Sequence, residues 1–279
     1  MTSSSPKQLL SEWNLKAKHH FGQHFLCNSE LSAKIAERVV PGHSGTVVEI
    51  GAGLGALTTP LLERAKRVVA IERDRDLVPI LRKEFESSIR DAKLVVLEQD
   101  AKTTDYATLF EGEPVPHVLA GNLPYLLTGP LLRRTVELAS IIERAVYMVQ
   151  LEVADRVCSV PDGRSYGALS VFVQACFSVE RLWVIKRGAF YPQPKVDSAL
   201  IEMVPLHPFV SEETPLFREL VQLAFRQRRK KLRNAWRSLT NGPFPALASA
   251  AARSGIDLND RGEVLSVHAF ARMAKELTL

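Results

Sequence analysis

Residues 46–72 constrain the fold more than any other stretch. Thr46-Val47-Val48-Glu49-Ile50 is a short apolar run, followed by glycines at alternate positions, Gly51, Gly53 and Gly55. Leu61-Leu62-Glu63-Arg64 then suits a helix, and Val68-Val69-Ala70-Ile71 is a second apolar run ending in Glu72. Strand, glycine turn, helix and strand in this order predict an α/β fold that binds its ligand at the carboxyl ends of the strands. Glycine lets the backbone approach a ligand closely, and the first turn of the following helix has free N–H groups. Glu72 lies about 20 residues beyond the first glycine, where nucleotide-binding folds place an acid on ribose hydroxyls. The G-x-G-x-G spacing differs from the G-x-G-x-x-G of dinucleotide binders, which weighs against a nicotinamide cofactor without excluding it.

Two further strands extend the pattern. Leu94 to Leu97 leads into Glu98-Gln99-Asp100-Ala101, so Asp100 is placed to accept a hydrogen bond from a cofactor adenine amine. Val118-Leu119-Ala120 delivers Gly121-Asn122-Leu123-Pro124-Tyr125 to the same crevice. This turn suits methyl transfer to an exocyclic amine, whose lone pair is delocalised into the ring and must be localised before it attacks. The Asn122 side-chain oxygen and the Leu123 carbonyl are candidate acceptors for the two N–H bonds, Pro124 fixes the backbone, and Tyr125 is placed to stack on the base. Such geometry is prepared before substrate arrives. Read alone, the same residues also serve as an ordinary strand-end turn. Four successive strand ends carrying Gly51 and Gly53, Glu72, Asp100 and Asn122 favour the site.

With these motifs in order, the chain resembles the KsgA-type ribosomal RNA adenine N6,N6-dimethyltransferases. The likeness runs through Phe21-Gly22-Gln23-His24-Phe25-Leu26, Glu49-Ile50-Gly51-Ala52-Gly53-Leu54-Gly55, Asn122-Leu123-Pro124-Tyr125, Gln150-Leu151-Glu152-Val153-Ala154-Asp155-Arg156, Tyr166-Gly167-Ala168-Leu169-Ser170, Phe190-Tyr191-Pro192-Gln193-Pro194-Lys195-Val196-Asp197-Ser198 and Ala224-Phe225-Arg226-Gln227-Arg228-Arg229-Lys230-Lys231-Leu232-Arg233-Asn234. The resemblance implies a Rossmann-like S-adenosylmethionine-dependent methyltransferase domain with a small helical C-terminal domain. It also implies that two adjacent adenosines, in a hairpin loop near the 3′ end of small ribosomal subunit RNA, become N6,N6-dimethyladenosine, with a 30S precursor as partner. By position, His24, Leu26, Gly51 and Gly53 surround the cofactor, Glu72 holds its ribose, Asp100 meets its adenine and Asn122 closes the site. Asn122, Leu123, Pro124 and Tyr125 handle the target base, with Phe190 as a second aromatic wall opposite Tyr125. His24, Ala52 and Leu126 depart from the usual Asn, Pro and Asn of the family pattern, which puts a side-chain contact at position 24 in question.

A formal charge of +5 and a pI near 9.1 favour a polyanionic partner. Arg226, Arg228, Arg229, Lys230, Lys231, Arg233 and Arg237 crowd a segment in which Leu223, Phe225, Leu232 and Trp236 have helix-like spacing. This predicts an amphipathic helix with a basic face for RNA, since charges so dense repel unless phosphates relieve them. Cys27, Cys158 and Cys176 form no C-x-x-C pair, which suits a reducing cytoplasm and argues against zinc; Cys27 is expected as a buried thiol. No apolar run approaches a membrane span, and Met1 to Pro6 lacks an apolar signal core. The expected organisation is a lead-in over 1–20, a Rossmann-like domain over 21–205, a linker from Pro205 to Pro215, and a helical RNA-contacting domain over 206–279. No heptad or interface run is evident, so a monomer is expected. Two alternatives stay open: a related adenine methylase acting on large-subunit RNA, which typically carries N-I-P-Y, and a non-enzymatic RNA-binding assembly factor.

Overall fold

The computed structural model describes residues 5–18, 21–239 and 245–278. Two compact units emerge, one of residues 1–154 and 180–204, the other of 155–179 and 205–279. The lead-in, expected to be flexible or helical, carries a helix that packs on the first unit. A helix over Pro6–Glu12, capped by Ser5, buries Leu9 and Leu10 against Phe25, Leu54, Leu77 and Ile80 of the first unit. Of the lead-in residues, 1–4 and 19–20, including most of the Ser-rich start, lie outside the described residues.

The first unit is built on β1 (Phe25–Leu26), β2 (Thr46–Ile50), β3 (Arg67–Glu72), β4 (Leu94–Glu98), β5 (His117–Asn122), β6 (Arg144–Gln150), β7 (Phe177–Ile185) from Glu180 onward, β8 (Phe190–Tyr191) and β9 (Ser198–Pro205) up to Val204. Seven of these form one sheet in the order β4-β3-β2-β5-β6-β9-β7. The run from β4 to β6 is parallel, and β9 joins β6 antiparallel. Every residue of β2 is buried, and β3 is buried from Val68 onward. That is why these strands read as continuous apolar runs rather than alternating ones. Chain order jumps at β2, whose neighbours β3 and β5 leave it in opposite directions, and an open α/β sheet binds its ligand at such a switch point. The architecture is Rossmann-like.

The second unit is helical, with helices over Ala168–Cys176, Pro215–Arg226, Pro245–Ser254 and Val267–Thr278. Pro215 opens its helix at the first position, where a missing N–H costs nothing, and Thr214 caps it by accepting from Phe217 N. Trp236 is fully buried and donates from Nε1 to Leu220 O at 2.8 Å, with Phe270 edge-on at 6.2 Å. The expected linker carries no helix or strand between 206 and 214. Its backbone is tied to this unit by Leu206 N and Val210 N, which donate to Cys176 O and Ala175 O.

Three expectations are corrected here. The chain crosses between the units near residues 154 and 179 as well as at 205, because Asp155–Val179 makes its contacts with the helical unit. Tyr166 illustrates this: it is fully buried and donates its hydroxyl to Leu265 O at 2.9 Å. The basic segment is not one helix. The helix stops at Arg226, a turn spans 227–230, and a short helix resumes over Leu232–Ala235. Leu232 N and Arg233 N donate to Asp260 O (2.8 Å) and Leu258 O (3.0 Å), so amides that a continuous helix would turn inward are used by a distant loop. The break also spreads the like charges. Finally, Cys27 is exposed rather than buried.

Candidate active site

The glycine turn follows from local sterics. Gly51, Gly53 and Gly55 have φ of 75°, 60° and 83°, the left-handed region that favours glycine. A side chain at Gly55 would also place its Cβ 2.4 Å from the Phe85 ring. Ile71 O accepts from Gly51 N at 2.8 Å and from Ala52 N at 3.2 Å. Proline at position 52 could not donate the second bond, so Ala52 gives the turn an extra tie to β3.

Glu72 holds that turn from the side. Its Oε2 accepts from Gly53 N at 2.8 Å and its Oε1 from Asp74 N at 2.7 Å. Burial pushes its carboxyl above the ordinary range, while hydrogen bonds from Asp74, Gly53 and Arg73 backbone amides pull against that shift. Asp100, beyond the end of β4, accepts from Lys102 N at 3.0 Å and pairs with Arg73 at 3.3 Å.

The Asn122 turn is seated against the glycine turn. A Cβ on Gly121 would lie 2.3 Å from Ile50 O, so only glycine permits this approach of β5 to β2. Leu123 N donates to Met148 O at 3.0 Å and fixes the turn to β6. The Asn122 Nδ2 donates to His24 O at 2.8 Å. That bond orients the amide, because only its nitrogen end can face a carbonyl, and Asn122 lines the cavity. Tyr125 shares a 2.9 Å hydrogen bond with Ser198 Oγ and lies 5.4 Å, centre to centre, from the His24 ring.

One cavity in this unit is lined by His24, Leu26, Gly51, Gly53, Glu72, Asp100, Asn122, Leu123, Pro124 and Tyr125. His24 reaches its partners in two ways: its backbone carbonyl orients Asn122, and its Nδ1 donates to Pro192 O at 2.6 Å. The imidazole is therefore a tie between segments, with the proton on Nδ1. Phe190 is the exception among the expected base-handling residues. It is 4% exposed, packs in the core with Leu26, Ile185 and Leu200, and is not among the residues lining the cavity. In β8, paired with β1, successive side chains point to opposite faces, and Phe190 takes the inward one.

The basic residues Arg226, Arg228, Arg229, Lys230, Lys231 and Arg233 lie in the helical unit, all exposed. Arg228 is partly engaged there, donating to Tyr166 O at 3.1 Å and to Arg164 O at 3.4 Å, with Glu263 at 3.7 Å.

Several residues in or behind the cavity carry little mark in the sequence; Glu49 and Gln23 line it, and Lys18, Asp74 and Asp76 lie behind Gln23. Glu49 is 1% exposed, accepts from Thr58 Oγ1 at 2.5 Å, and has its carboxyl pushed up to about 7 by burial, with Glu72 adding to the rise. Its signal was available: an acid closing an apolar strand. Gln23 donates to Asp74 at 2.7 Å, and Lys18 bridges Asp74 at 2.5 Å and Asp76 at 2.6 Å. This network holds Asp74 below the ordinary carboxylate range, against its own desolvation. No local pattern in the sequence announces a contact between residues so far apart.

The sequence profile of the family described as Ribosomal RNA adenine dimethylase matches residues 14–279. A protein of Anaeromyxobacter sp. (strain K) described as Ribosomal RNA small subunit methyltransferase A is 40% identical, over 98% of each chain. A protein of Myxococcus xanthus with the same description is 36% identical, over 98% of this chain and 95% of its own. Among solved structures, a dimethyladenosine transferase from Plasmodium falciparum superposes with a TM-score of 0.75 at 24% identity, covering 90% of this chain and 96% of its own. The 23S rRNA methyltransferase ErmE superposes with a TM-score of 0.66 at 24% identity, covering 91% and 100%. At that identity the two structures speak for the fold.

Proposed function

Because the chain belongs to the ribosomal RNA adenine dimethylase family, we propose that it transfers methyl groups from S-adenosylmethionine to N6 of two adjacent adenosines in a hairpin loop near the 3′ end of small-subunit ribosomal RNA. Each becomes N6,N6-dimethyladenosine, as a step in ribosome biogenesis. The observation that carries the reading is the Asn122 amide, anchored through its nitrogen to His24 O and lining a cavity also lined by the glycine turn, Glu72 and Asp100.

These residues suit the cofactor. A close-approach glycine turn, a buried acid at the end of β3 and an acceptor beyond β4 match the methionine, ribose and adenine parts of S-adenosylmethionine in turn. When bound, that molecule supplies an electrophilic methyl group on a sulfonium. Asn122 Oδ1 and the Leu123 carbonyl would accept the two amine N–H bonds and localise the lone pair for in-line attack on the methyl carbon, the thioether leaving and the surplus amine proton passing to solvent, with no covalent enzyme intermediate required. For the second transfer they accommodate an amine that already bears one methyl group. Tyr125 stacks on the base, which must be unstacked or flipped to reach the cavity. Exposed Arg226, Arg229 and Lys230 meet the RNA backbone, the partner is a small-subunit precursor, and the working form is a cytoplasmic monomer.

The test is methylation of purified small and large subunits lacking the modification, with mass mapping of the products. Dimethylation of two adjacent small-subunit adenosines is expected. Label confined to large-subunit RNA, or none on either subunit, would overturn the proposal.

A further inference from the structure

The turn that carries Asn122 also carries three leucines, and they differ in burial. Leu123 is 1% exposed and Leu127 half-buried, whereas Leu126 is 74% exposed. Among the described residues the other exposed large apolar side chains are six valines, none above 66% exposed and none lining the cavity. Leu126 does line it, so this side chain stands at the mouth, one residue beyond Tyr125. Scattered surface leucines are ordinary; the place of this one sets it apart. Its backbone is also fixed. Leu127 N and Thr128 Oγ1 both donate to Pro124 O, at 2.9 and 3.2 Å, Leu123 N donates to Met148 O at 3.0 Å, and the Tyr125 hydroxyl is tied to Ser198 Oγ. A side chain presented on such a turn is preorganised, so a partner that covers it loses little to ordering.

We propose that Leu126 is a wedge for the RNA: when the target adenosine swings into the cavity, the leucine packs on the face of the adjoining base and takes the stacking place that the adenosine leaves. This rests on the adenosine-methylating reading above. A base held in the cavity has left its neighbours, and its departure uncovers a face of the base beside it. Leucine has neither charge nor hydrogen-bonding group, so it suits neither a phosphate nor a base edge; the base face is the part of an RNA strand that matches it. Apolar side chains, leucine among them, fill such gaps where proteins open a base stack. With Tyr125 on the target base and Leu126 on the base next to it, one rigid turn holds both sides of the opened step. Leu126 is therefore a positioning residue: it favours the swung-out adenosine and takes no part in activating the amine.

The experiment measures kcat/KM for methyl transfer by the full chain and its Leu126→Asn, Leu126→Ala and Leu126→Met variants on small subunits lacking the modification. The subunits are assembled on intact RNA, or on RNA ligated to carry an abasic nucleotide on the 5′ or the 3′ side of a single target adenosine. On intact particles Leu126→Asn and Leu126→Ala should lower kcat/KM about threefold to thirtyfold. Leu126→Met keeps an apolar side chain of similar volume and should stay within about threefold of wild type. On one of the two abasic particles the loss should vanish, because the face that the leucine covers is gone. An equal loss on all three particles would make Leu126 a prop of the turn, and equal kcat/KM for all four proteins on intact particles would leave the side chain without a role; either result overturns the proposal. A wild-type chain that leaves both adenosines of the intact particle unmethylated would refute the methylation reading itself, an outcome distinct from an effect confined to the variants.

Discussion

Glu49→Gln should remove a pH dependence built into the core of the first unit. Glu49 is 1% exposed at the end of β2, and burial pushes its carboxyl from an ordinary 4.5 up to about 7. In the unfolded chain the group loses its proton near 4.5, whereas in the folded chain it keeps the proton until about 7. The unfolded state therefore binds fewer protons across that window, and stability must fall as pH rises through it. Each tenfold in proton affinity is worth about 1.4 kcal/mol, so the full loss is roughly 3 kcal/mol, complete above pH 7. Glutamine can still accept from Thr58 Oγ1, which lies 2.5 Å away in the wild type, and it carries no charge to repel Glu72. Urea unfolding of both proteins at pH 4.5 and pH 8 reads the effect as a difference of differences, which cancels groups common to the two. The wild type should lose about 3 kcal/mol relative to the variant over that range. Equal slopes for the two proteins would refute the reasoning, and so would a wild type that gains on the variant as pH rises.

Three further substitutions separate cofactor binding from base handling. Glu72→Ala should weaken S-adenosylmethionine binding before it affects the chemical step, and it should lower stability by about 1.5–3 kcal/mol for each charge-assisted bond to Gly53 N and Asp74 N that is lost. Unchanged affinity in a titration would count against the ribose assignment. Tyr125→Ala should cost about 1–3 kcal/mol of RNA binding through lost stacking. Tyr125→Phe keeps the ring and gives up only the Ser198 bond, worth about 1 kcal/mol. Equal RNA affinities for the two variants would argue that the ring does not stack on the base.

Much of the cleft was legible because parallel strands buried on both faces read as short apolar runs, and their ends were marked by residues of unusual chemistry. Val68–Ile71 ending in Glu72, and Val118–Ala120 running into Asn122, show this directly. What escaped was decided by partners distant in sequence. Leu232 and Trp236 keep helical spacing relative to Leu223 and Phe225, yet the chain turns between them because amides find carbonyls at 258 and 260. Phe190 and Tyr191 differ by one position, and only the pairing of β8 with β1 decides which of them is buried. The assignment of 155–179 to the helical unit likewise rests on contacts such as Tyr166 to Leu265.

The central claim is that Asn122 prepares the adenine amine for attack, and Asn122→Ala tests it most directly. The variant loses the amide oxygen proposed to hold the amine, while Leu123 N still fixes the turn to Met148 O. Single-turnover transfer of labelled methyl groups, measured beside cofactor titration, should show the rate falling about 10²–10³-fold with cofactor affinity within about threefold of wild type. Near-normal transfer by Asn122→Ala would contradict the account.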